Sequence, residues 1–142
     1  MKYLALVVAA LLPFSIAASP ESKPFAEKRV VLQITDNDPE KQTLVLNVAT
    51  NLMNHYGPEK VDVEIVAFGP GMNLLLKKNE NLPRIDGLAQ NGVQFSACSN
   101  TIAKMTKKLG KEPAINPSAT RVPAGVVRII ELVDQDYQLI RP

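Results

Sequence analysis

The chain has 142 residues, carries 16 Lys and Arg against 14 Asp and Glu, and is 46% hydrophobic. This length fits one domain with a sizeable core, and a net charge of +2 argues against a nucleic-acid partner. The single cysteine, Cys98, excludes an internal disulfide, so the core alone has to stabilise the fold.

Residues 1–18 are predicted to be a secretory signal peptide. Lys2 precedes an apolar run at residues 3–12, and small residues follow, ending in Ala17 and Ala18. The apolar run is shorter than the roughly 20 residues that a transmembrane helix needs. Cleavage after Ala17 or Ala18 is therefore favoured over an uncleaved N-terminal anchor.

Cleavage at this position predicts an exported protein, periplasmic or secreted, with no membrane insertion after removal of the signal. A polar leader would follow at residues 19–28, and a single domain at residues 29–142. Loss of Lys2 brings the net charge near +1, which further argues against nucleic-acid binding.

The first strand and helix of the domain are predicted on either side of a turn at Asp38. Residues 30–35 (VVLQIT) form a β-branched apolar run that is typical of a buried strand. Asp38 resembles an N-cap with Pro39 at the first helical position, and a helix is expected over residues 39–56. Its apolar arc is wide and is extended by Leu46, which predicts that the helix contacts more than the sheet, with another subunit as the candidate neighbour.

Two more strands are predicted at residues 61–67 and 93–97. The first of them (VDVEIVA) alternates apolar residues with Asp62 and Glu64. This alternation predicts a half-exposed strand nearer to a sheet edge. Helical segments are expected between the two strands.

The last part of the chain continues the alternation of strands and helices. A helix is predicted at residues 99–109, a short fourth strand in TRVPAG, a helix from Gly125 to Val133, and a terminal strand in YQLIRP. Such alternation gives a parallel sheet with helices on its faces, joined by right-handed crossovers. The predicted fold class is therefore α/β.

The loops that follow the strands of a parallel sheet gather at one edge, where α/β proteins bind ligands. Four loops are expected there: Asp36-Asn37-Asp38, Gly69-Pro70-Gly71, Cys98-Ser99-Asn100 and Pro123-Ala124-Gly125. The candidate binding residues at this edge are Asp36, Asn37, Gly69, Gly71, Ser99, Asn100 and Gly125.

Cys98 is the candidate catalytic residue because it opens a predicted helix at this edge. Free N–H groups and the positive end of the helix dipole both favour a thiolate, the reactive form of cysteine. Ser99 and Asn100 could add hydrogen bonds to the sulfur. The alternative is a small apolar residue packed beneath the edge, since free cysteines are often buried.

The other polar residues are interpreted as structural. Four lysines follow the cysteine: Lys104, Lys107, Lys108 and Lys111. They lie opposite the apolar face of their helix, which favours a solvated face over a basic groove. Asp36 and Asp38 are a weak metal signal, and His55, the single histidine, falls far from the predicted edge. No metal site and no cofactor are predicted.

Five stretches together resemble the DsrE/DsrF-like family, in the exported branch labelled as intracellular sulfur oxidation proteins: VVLQITDNDPEKQ, VEIVAFGPGMNLL, GVQFSACSNT, VPAGVVRIIEL and YQLIRP. The resemblance covers about residues 29–142. It implies a three-layer flavodoxin-like fold with a five-stranded, mainly parallel sheet, and assembly into trimers or hexamers. It also implies a persulfide on the cysteine after the third strand, which is Cys98 here.

Two functions follow from these observations. The first is an exported sulfur carrier, at most sulfurtransferase-like in activity, which holds sulfane sulfur on Cys98 and exchanges it with donor and acceptor proteins. A single thiol fits a carrier better than a disulfide enzyme, which needs a second, resolving cysteine. The alternative is a non-catalytic, small-ligand-binding or structural oligomer in which Cys98 is packed.

Overall fold

The computed structural model describes residues 22–142, so the predicted signal peptide at residues 1–18 lies outside the described residues. The strands are β1 (Lys28–Ile34), β2 (Val61–Ala67), β3 (Gln94–Cys98), β4 (Ala119–Val122) and β5 (Gln138–Ile140). The helices are α1 (Pro39–Tyr56), α2 (Leu82–Gln90), α3 (Ser99–Leu109) and α4 (Gly125–Asp134), with a 3₁₀ helix at Gly69–Leu75. Among the described helices, none is long and apolar enough to cross a membrane.

All five strands lie in one parallel sheet, in the order β4-β3-β2-β1-β5. Helices cover both faces of this sheet, which confirms the predicted three-layer, flavodoxin-like α/β fold with five strands. The order of the strands was not predicted, and it differs from the 2-1-3-4-5 order of flavodoxin itself.

The two faces of the sheet are covered unequally. α1, α2, α3 and the 3₁₀ helix pack on one face, where Val45, Ile85 and Ile102 enter the core. α4 alone packs on the other face, through Ile129 and Leu132. The chain moves in one direction from β1 to β4 and then returns past β1 to β5. Because crossovers are right-handed, the returning helix has to lie on the opposite face.

The change of face occurs between two neighbouring strands, β3 and β4. The helix that follows β3 goes to one face, and the helix that follows β4 goes to the other. Open α/β sheets form a crevice at such a switch point, and ligands bind there. Cys98 ends β3 and Gly125 begins α4, so both residues lie at this crevice.

α1 begins and ends where the sequence predicts. The Asp38 carboxylate accepts the N–H groups of Glu40 at 2.7 Å and Lys41 at 3.3 Å, and Pro39 takes the first helical position. The predicted subunit contact is wrong at Leu46, which is fully buried in the core of its own chain. α1 packs against α2 as well as the sheet, and this second neighbour accounts for the wide apolar arc.

β2 is the central strand of the sheet, so its predicted position nearer to an edge is wrong. All of its residues are buried, including Asp62 and Glu64. Both carboxylates lie on the α4 face and are paired, Asp62 with the Tyr137 hydroxyl and Glu64 with the Arg128 guanidinium. The alternation in the sequence therefore marks a polar layer inside the protein rather than a solvated face.

Part of the predicted leader lies against the amino end of the sheet. The N–H of Lys23 donates to Asp62 at 3.0 Å, and its Nζ donates to the Val61 carbonyl at 3.1 Å. The Glu27 N–H donates to the Lys60 carbonyl at 2.8 Å. The chain is therefore attached to the domain several residues before β1 begins.

α4 and the edge strand β5 present apolar side chains to solvent on the less covered side of the molecule. We call this set the α4 patch: Val126, Val127, Ile130, Val133 and Leu139, exposed by 44–56%. Scattered apolar residues are normal on a protein surface, but a contiguous apolar patch marks a site of interaction.

Candidate functional site

Cys98 lies where the sheet, α3 and the loop before α4 meet. It is the last residue of β3, pairs with Val122 of β4 and is the N-cap residue of α3. Only 4% of the residue is exposed, so the thiol is buried at the crevice.

Two helix N-termini converge on this sulfur. Burial raises the pKa of the Cys98 thiol, but hydrogen bonding from the Thr101 side chain and from the N–H groups of Gly125, Thr101 and Asn100 lowers it more, so the pKa lies below its ordinary value. The largest causes of this lowering are hydrogen bonds from backbone N–H groups and one hydroxyl rather than charged side chains. The free N–H groups of α3 and α4 thus stabilise one anion together.

Thr101 is the residue of the site that sequence analysis missed. Its hydroxyl oxygen accepts the N–H of Gly69 at 2.9 Å, which leaves its hydrogen free to point at the sulfur. Of the two residues predicted instead, Asn100 contributes through its backbone N–H rather than its side chain, and Ser99 is not among the main contributors. The available signal was the position of Thr101, because the third N–H of a helix faces the N-cap side chain.

Two of the predicted glycines allow close packing at the edge of the sheet. A Cβ on Gly125 would lie 2.8–3.0 Å from side-chain atoms of Phe68, so glycine lets the start of α4 approach the sulfur. A Cβ on Gly71 would lie 2.3 Å from the Ile34 carbonyl oxygen. The lack of a side chain on Gly71 therefore lets the 3₁₀ helix pack directly against the end of β1.

Asp36 and Asn37 are not part of the thiol site. They follow β1, which is separated from β3 by the width of β2, and neighbouring strands lie about 4.8 Å apart. The Asp36 carboxylate pairs with Lys41 at 3.2 Å and with Arg141 at 3.7 Å. Asn37 accepts the Gln42 side-chain amide at 3.3 Å. Both residues therefore serve local contacts.

A buried ion pair lies on the same face of the sheet as the thiol. Arg128 donates from Nε to Oε1 of Glu64 at 2.8 Å and from Nη2 to Oε2 at 2.7 Å. Ser96, two residues before Cys98 and on the same face of β3, donates to Oε1 at 2.5 Å. Hydrogen bonding to Glu64 raises the pKa of the Arg128 guanidinium. The pair therefore ties α4 to β2 and β3.

A groove runs between α3 and the 3₁₀ helix and ends beside Thr101. Two adjoining cavities of about 450 and 400 Å³ form it and share Asn73, Met105 and Leu109. Four lysines border the groove: Lys78, Lys104, Lys108 and Lys111. The four lysines predicted to form a solvated face are exposed, and three of them, Lys104, Lys108 and Lys111, also give this groove a positive rim.

The described residues hold no candidate metal centre. Within residues 22–142, no group of three or more His, Cys, Asp or Glu side chains could hold a metal ion. His55 lies in the last turn of α1, at the amino end of the sheet, and its ring meets that of Tyr56 edge-on with centroids 4.7 Å apart.

The chain matches the model of the DsrE/DsrF-like family over residues 28–142. It is also similar to a solved structure described as a protein of unknown function, MTH1491 from Methanobacterium thermoautotrophicum. The two chains are 30% identical with a TM-score of 0.73, and the match covers 82% of this chain and 100% of the other. No curated protein matches the chain.

Proposed function

The chain belongs to the DsrE/DsrF-like family, and from this premise we propose that it is an exported sulfur carrier that holds sulfane sulfur as a persulfide on Cys98. The family is associated with sulfur relay. The observation that carries the proposal is the position of Cys98, which ends β3 and caps α3 at the crevice where α4 also begins. The backbone N–H groups and the Thr101 hydroxyl that lower the pKa of Cys98 support it.

Loading begins with the Cys98 thiolate attacking the outer sulfur of a persulfide or polysulfide donor. A new S–S bond forms on Cys98, the S–S bond of the donor breaks, and the donor thiolate leaves and takes up a proton. Lowering the pKa increases the fraction of thiolate at neutral pH. No oxidant is needed, because the sulfane sulfur moves without a net change in oxidation state.

Unloading is the same step in reverse. An acceptor thiolate attacks the outer sulfur of the persulfide, and Cys98 leaves as a thiolate. A thiol of lower pKa is the better leaving group in such exchanges. The N–H groups that favour attack by Cys98 therefore also favour its departure, as a carrier requires in both directions.

The burial of Cys98 supports the alternative function, in which the residue is only packed. Intact-mass spectrometry of the mature chain after exposure to polysulfide distinguishes the two. A carrier gains one or more sulfur atoms, loses them to a reductant, and gains none as Cys98→Ser. A wild-type chain that takes up no sulfur and alkylates only after denaturation would establish the non-catalytic function.

The proposal includes export, partner proteins and assembly of several copies. Export rests on the sequence of residues 1–18. A carrier with one thiol and no resolving cysteine needs donor and acceptor proteins at each end of its cycle. The α4 patch supports a homo-oligomer, a trimer or a hexamer, and takes the place of the Leu46 side of α1 as the contact surface.

A further inference from the structure

The Glu64–Arg128 pair is buried, and its net contribution to stability is expected to be small. Glu64 is fully buried and the Arg128 side chain is 16% exposed, so both charges lose most of their contact with water. Buried ion pairs contribute little net stability, because desolvation offsets most of their attraction. Their attested use is to fix one arrangement among several.

The arrangement that this pair fixes is the start of α4. Arg128 lies one turn after Gly125, and its backbone N–H donates to the Ala124 carbonyl at 3.0 Å. Its two-point contact with Glu64 therefore holds the first turn of α4 down on the sheet. The same turn begins at Gly125, which packs closely on Phe68 at the crevice and whose N–H is one of the groups that lower the pKa of Cys98.

The other end of the pair is tied to the strand that carries the thiol. Ser96 donates to Glu64 and stands two residues before Cys98 on β3. Because α3 continues directly from β3, the Asn100 and Thr101 N–H groups need no such tie to reach the sulfur. The Gly125 N–H comes from a different segment, and it is the donor whose position depends on α4.

We infer that Glu64 and Arg128 are positioning residues for Cys98: their ion pair holds α4 so that the Gly125 N–H stays against the sulfur. The inference concerns the same thiol as the proposed function and deepens it. It requires only that the thiolate is stabilised by Gly125, whether or not a persulfide forms.

A direct effect of charge on the thiol makes a different prediction. The groups that face Glu64 are Ser96, Arg128 and Tyr137, and Arg128 also faces Glu131 at 3.8 Å. Removal of the Glu64 charge would leave a positive neighbour, which by charge alone lowers the pKa of Cys98. Loosening of α4 raises that pKa instead. The sign of the shift in Glu64→Leu therefore separates the two effects.

Arg128→Lys also distinguishes the effect of charge from the effect of positioning, because this variant keeps every charge but loses the two-point contact with Glu64. Charge alone predicts no shift for this variant, whereas positioning predicts a rise. Glu64→Gln keeps one acceptor oxygen for Arg128 and should give a smaller rise than Glu64→Leu. Tyr137→Phe is the matched control, since it removes the buried Tyr137–Asp62 hydrogen bond of 2.7 Å on the same face, beyond the far end of α4.

The experiment follows the ultraviolet absorbance of the thiolate against pH in the mature chain, with Cys98→Ser subtracted, and the rate of alkylation by iodoacetamide. We expect the midpoint to rise by about half a pH unit or more in Glu64→Leu and Arg128→Lys, which lowers the rate about threefold at pH 7. Tyr137→Phe should lower the thermal midpoint of unfolding and leave the thiol midpoint unchanged.

An unchanged or lowered thiol midpoint in Glu64→Leu, or an equal rise in Tyr137→Phe, overturns the inference. If Glu64→Leu does not fold, Arg128→Lys decides by itself, because its shift has to be upward. Absence of sulfur uptake by the wild type would overturn the proposed carrier function. It would not affect the test of the positioning role, because the thiol midpoints are measured without a sulfur donor.

Discussion

The N–H of Gly69 donates to the hydroxyl oxygen of Thr101 over 2.9 Å. This bond joins the loop after β2 to the first turn of α3. It fixes the side chain of Thr101, whose hydroxyl is one of the groups that lower the pKa of Cys98 against the effect of burial. The loop after β2 and the start of α3 therefore act on one sulfur atom together, and the N–H of Gly125 adds a third segment, the start of α4.

Replacement of Thr101 by Val should raise the pKa of Cys98, because the sulfur keeps its burial and loses a hydroxyl donor. The rate of iodoacetamide alkylation at pH 7 should fall, and its midpoint should move to higher pH. Thr101→Ser keeps the hydroxyl and should stay close to the wild type. Thr106→Val is the control, since that hydroxyl donates to the Ile102 carbonyl on the same helix at 2.9 Å. An equal shift in Thr106→Val would contradict this role.

The parts of the site that the sequence predicted are those set by local structure. The Asp38 cap, the end of β3 and the start of α3 each depend on residues within a few positions, so the place of Cys98 at a helix N-terminus could be predicted. The order of the strands depends on the face of the sheet on which each connecting helix packs. The alternation of helices and strands in the sequence does not specify that face, so the order could not be predicted.

Contacts between residues far apart in the sequence could not be predicted either, because they also depend on how the strands and helices are arranged in space. The alternation of apolar and acidic residues in β2 predicts that Glu64 is solvated. It does not show that Arg128, 64 positions later, covers Glu64 and neutralises its charge. Thr101 lies inside the predicted helix at residues 99–109 and could not be identified as a site residue, because its partner Gly69 lies 32 positions earlier. Both contacts exist only once the sheet order brings β2, β3 and α4 together.

Gly125→Ala should destabilise the fold and disturb the thiol together. Its Cβ would lie 2.8–3.0 Å from Phe68, including Phe68 Cβ, so one of the two segments has to move. Such overpacking costs about 1–3 kcal/mol in the free energy of unfolding. Urea unfolding and the pH profile of alkylation should both shift. Gly87→Ala in α2, where a Cβ meets nothing within 4 Å, should leave the thiol unchanged and stabilise by up to about 1 kcal/mol. If Gly125→Ala changes neither the free energy of unfolding nor the pH profile of alkylation, the side chain of Phe68 moves aside at little cost and this prediction is wrong.

Tyr137 should make the protein sensitive to alkaline pH. Burial, and then the hydrogen bond to Asp62, raise the pKa of Tyr137 far above its ordinary value of 10.0. Above about pH 10 the unfolded chain loses this proton and the folded chain keeps it, so the free energy of unfolding should fall as pH rises. Urea unfolding at several pH values should show a steeper decline for the wild type than for Tyr137→Phe. Parallel declines would show that this hydroxyl is not responsible.

The lysine rim of the groove should favour anionic reagents at Cys98. Positive charge raises the local concentration of anions, and salt screens the effect over about 8–10 Å. We therefore expect the ratio of the iodoacetate rate to the iodoacetamide rate to fall in a Lys104→Glu, Lys108→Glu double variant, and to fall with added salt in the wild type. Lys28→Glu with Lys60→Glu, at the amino end of the sheet, is the control with the same change in net charge. An equal fall in this double variant would assign the effect to overall charge.

The α4 patch should hold copies of the chain together. Light scattering on the mature wild type should give a particle of trimer size or larger, and Val126→Glu with Ile130→Glu should reduce its mass. These side chains are 54% and 56% exposed in the single chain, so their replacement should change the stability of one subunit by less than about 0.5 kcal/mol. Leu109→Glu, at 59% exposure on α3, tests an apolar residue on the other face of the sheet. Loss of mass in Leu109→Glu alone would move the subunit contact to the lysine-lined groove, and a wild-type monomer at micromolar concentration would remove the assembly altogether.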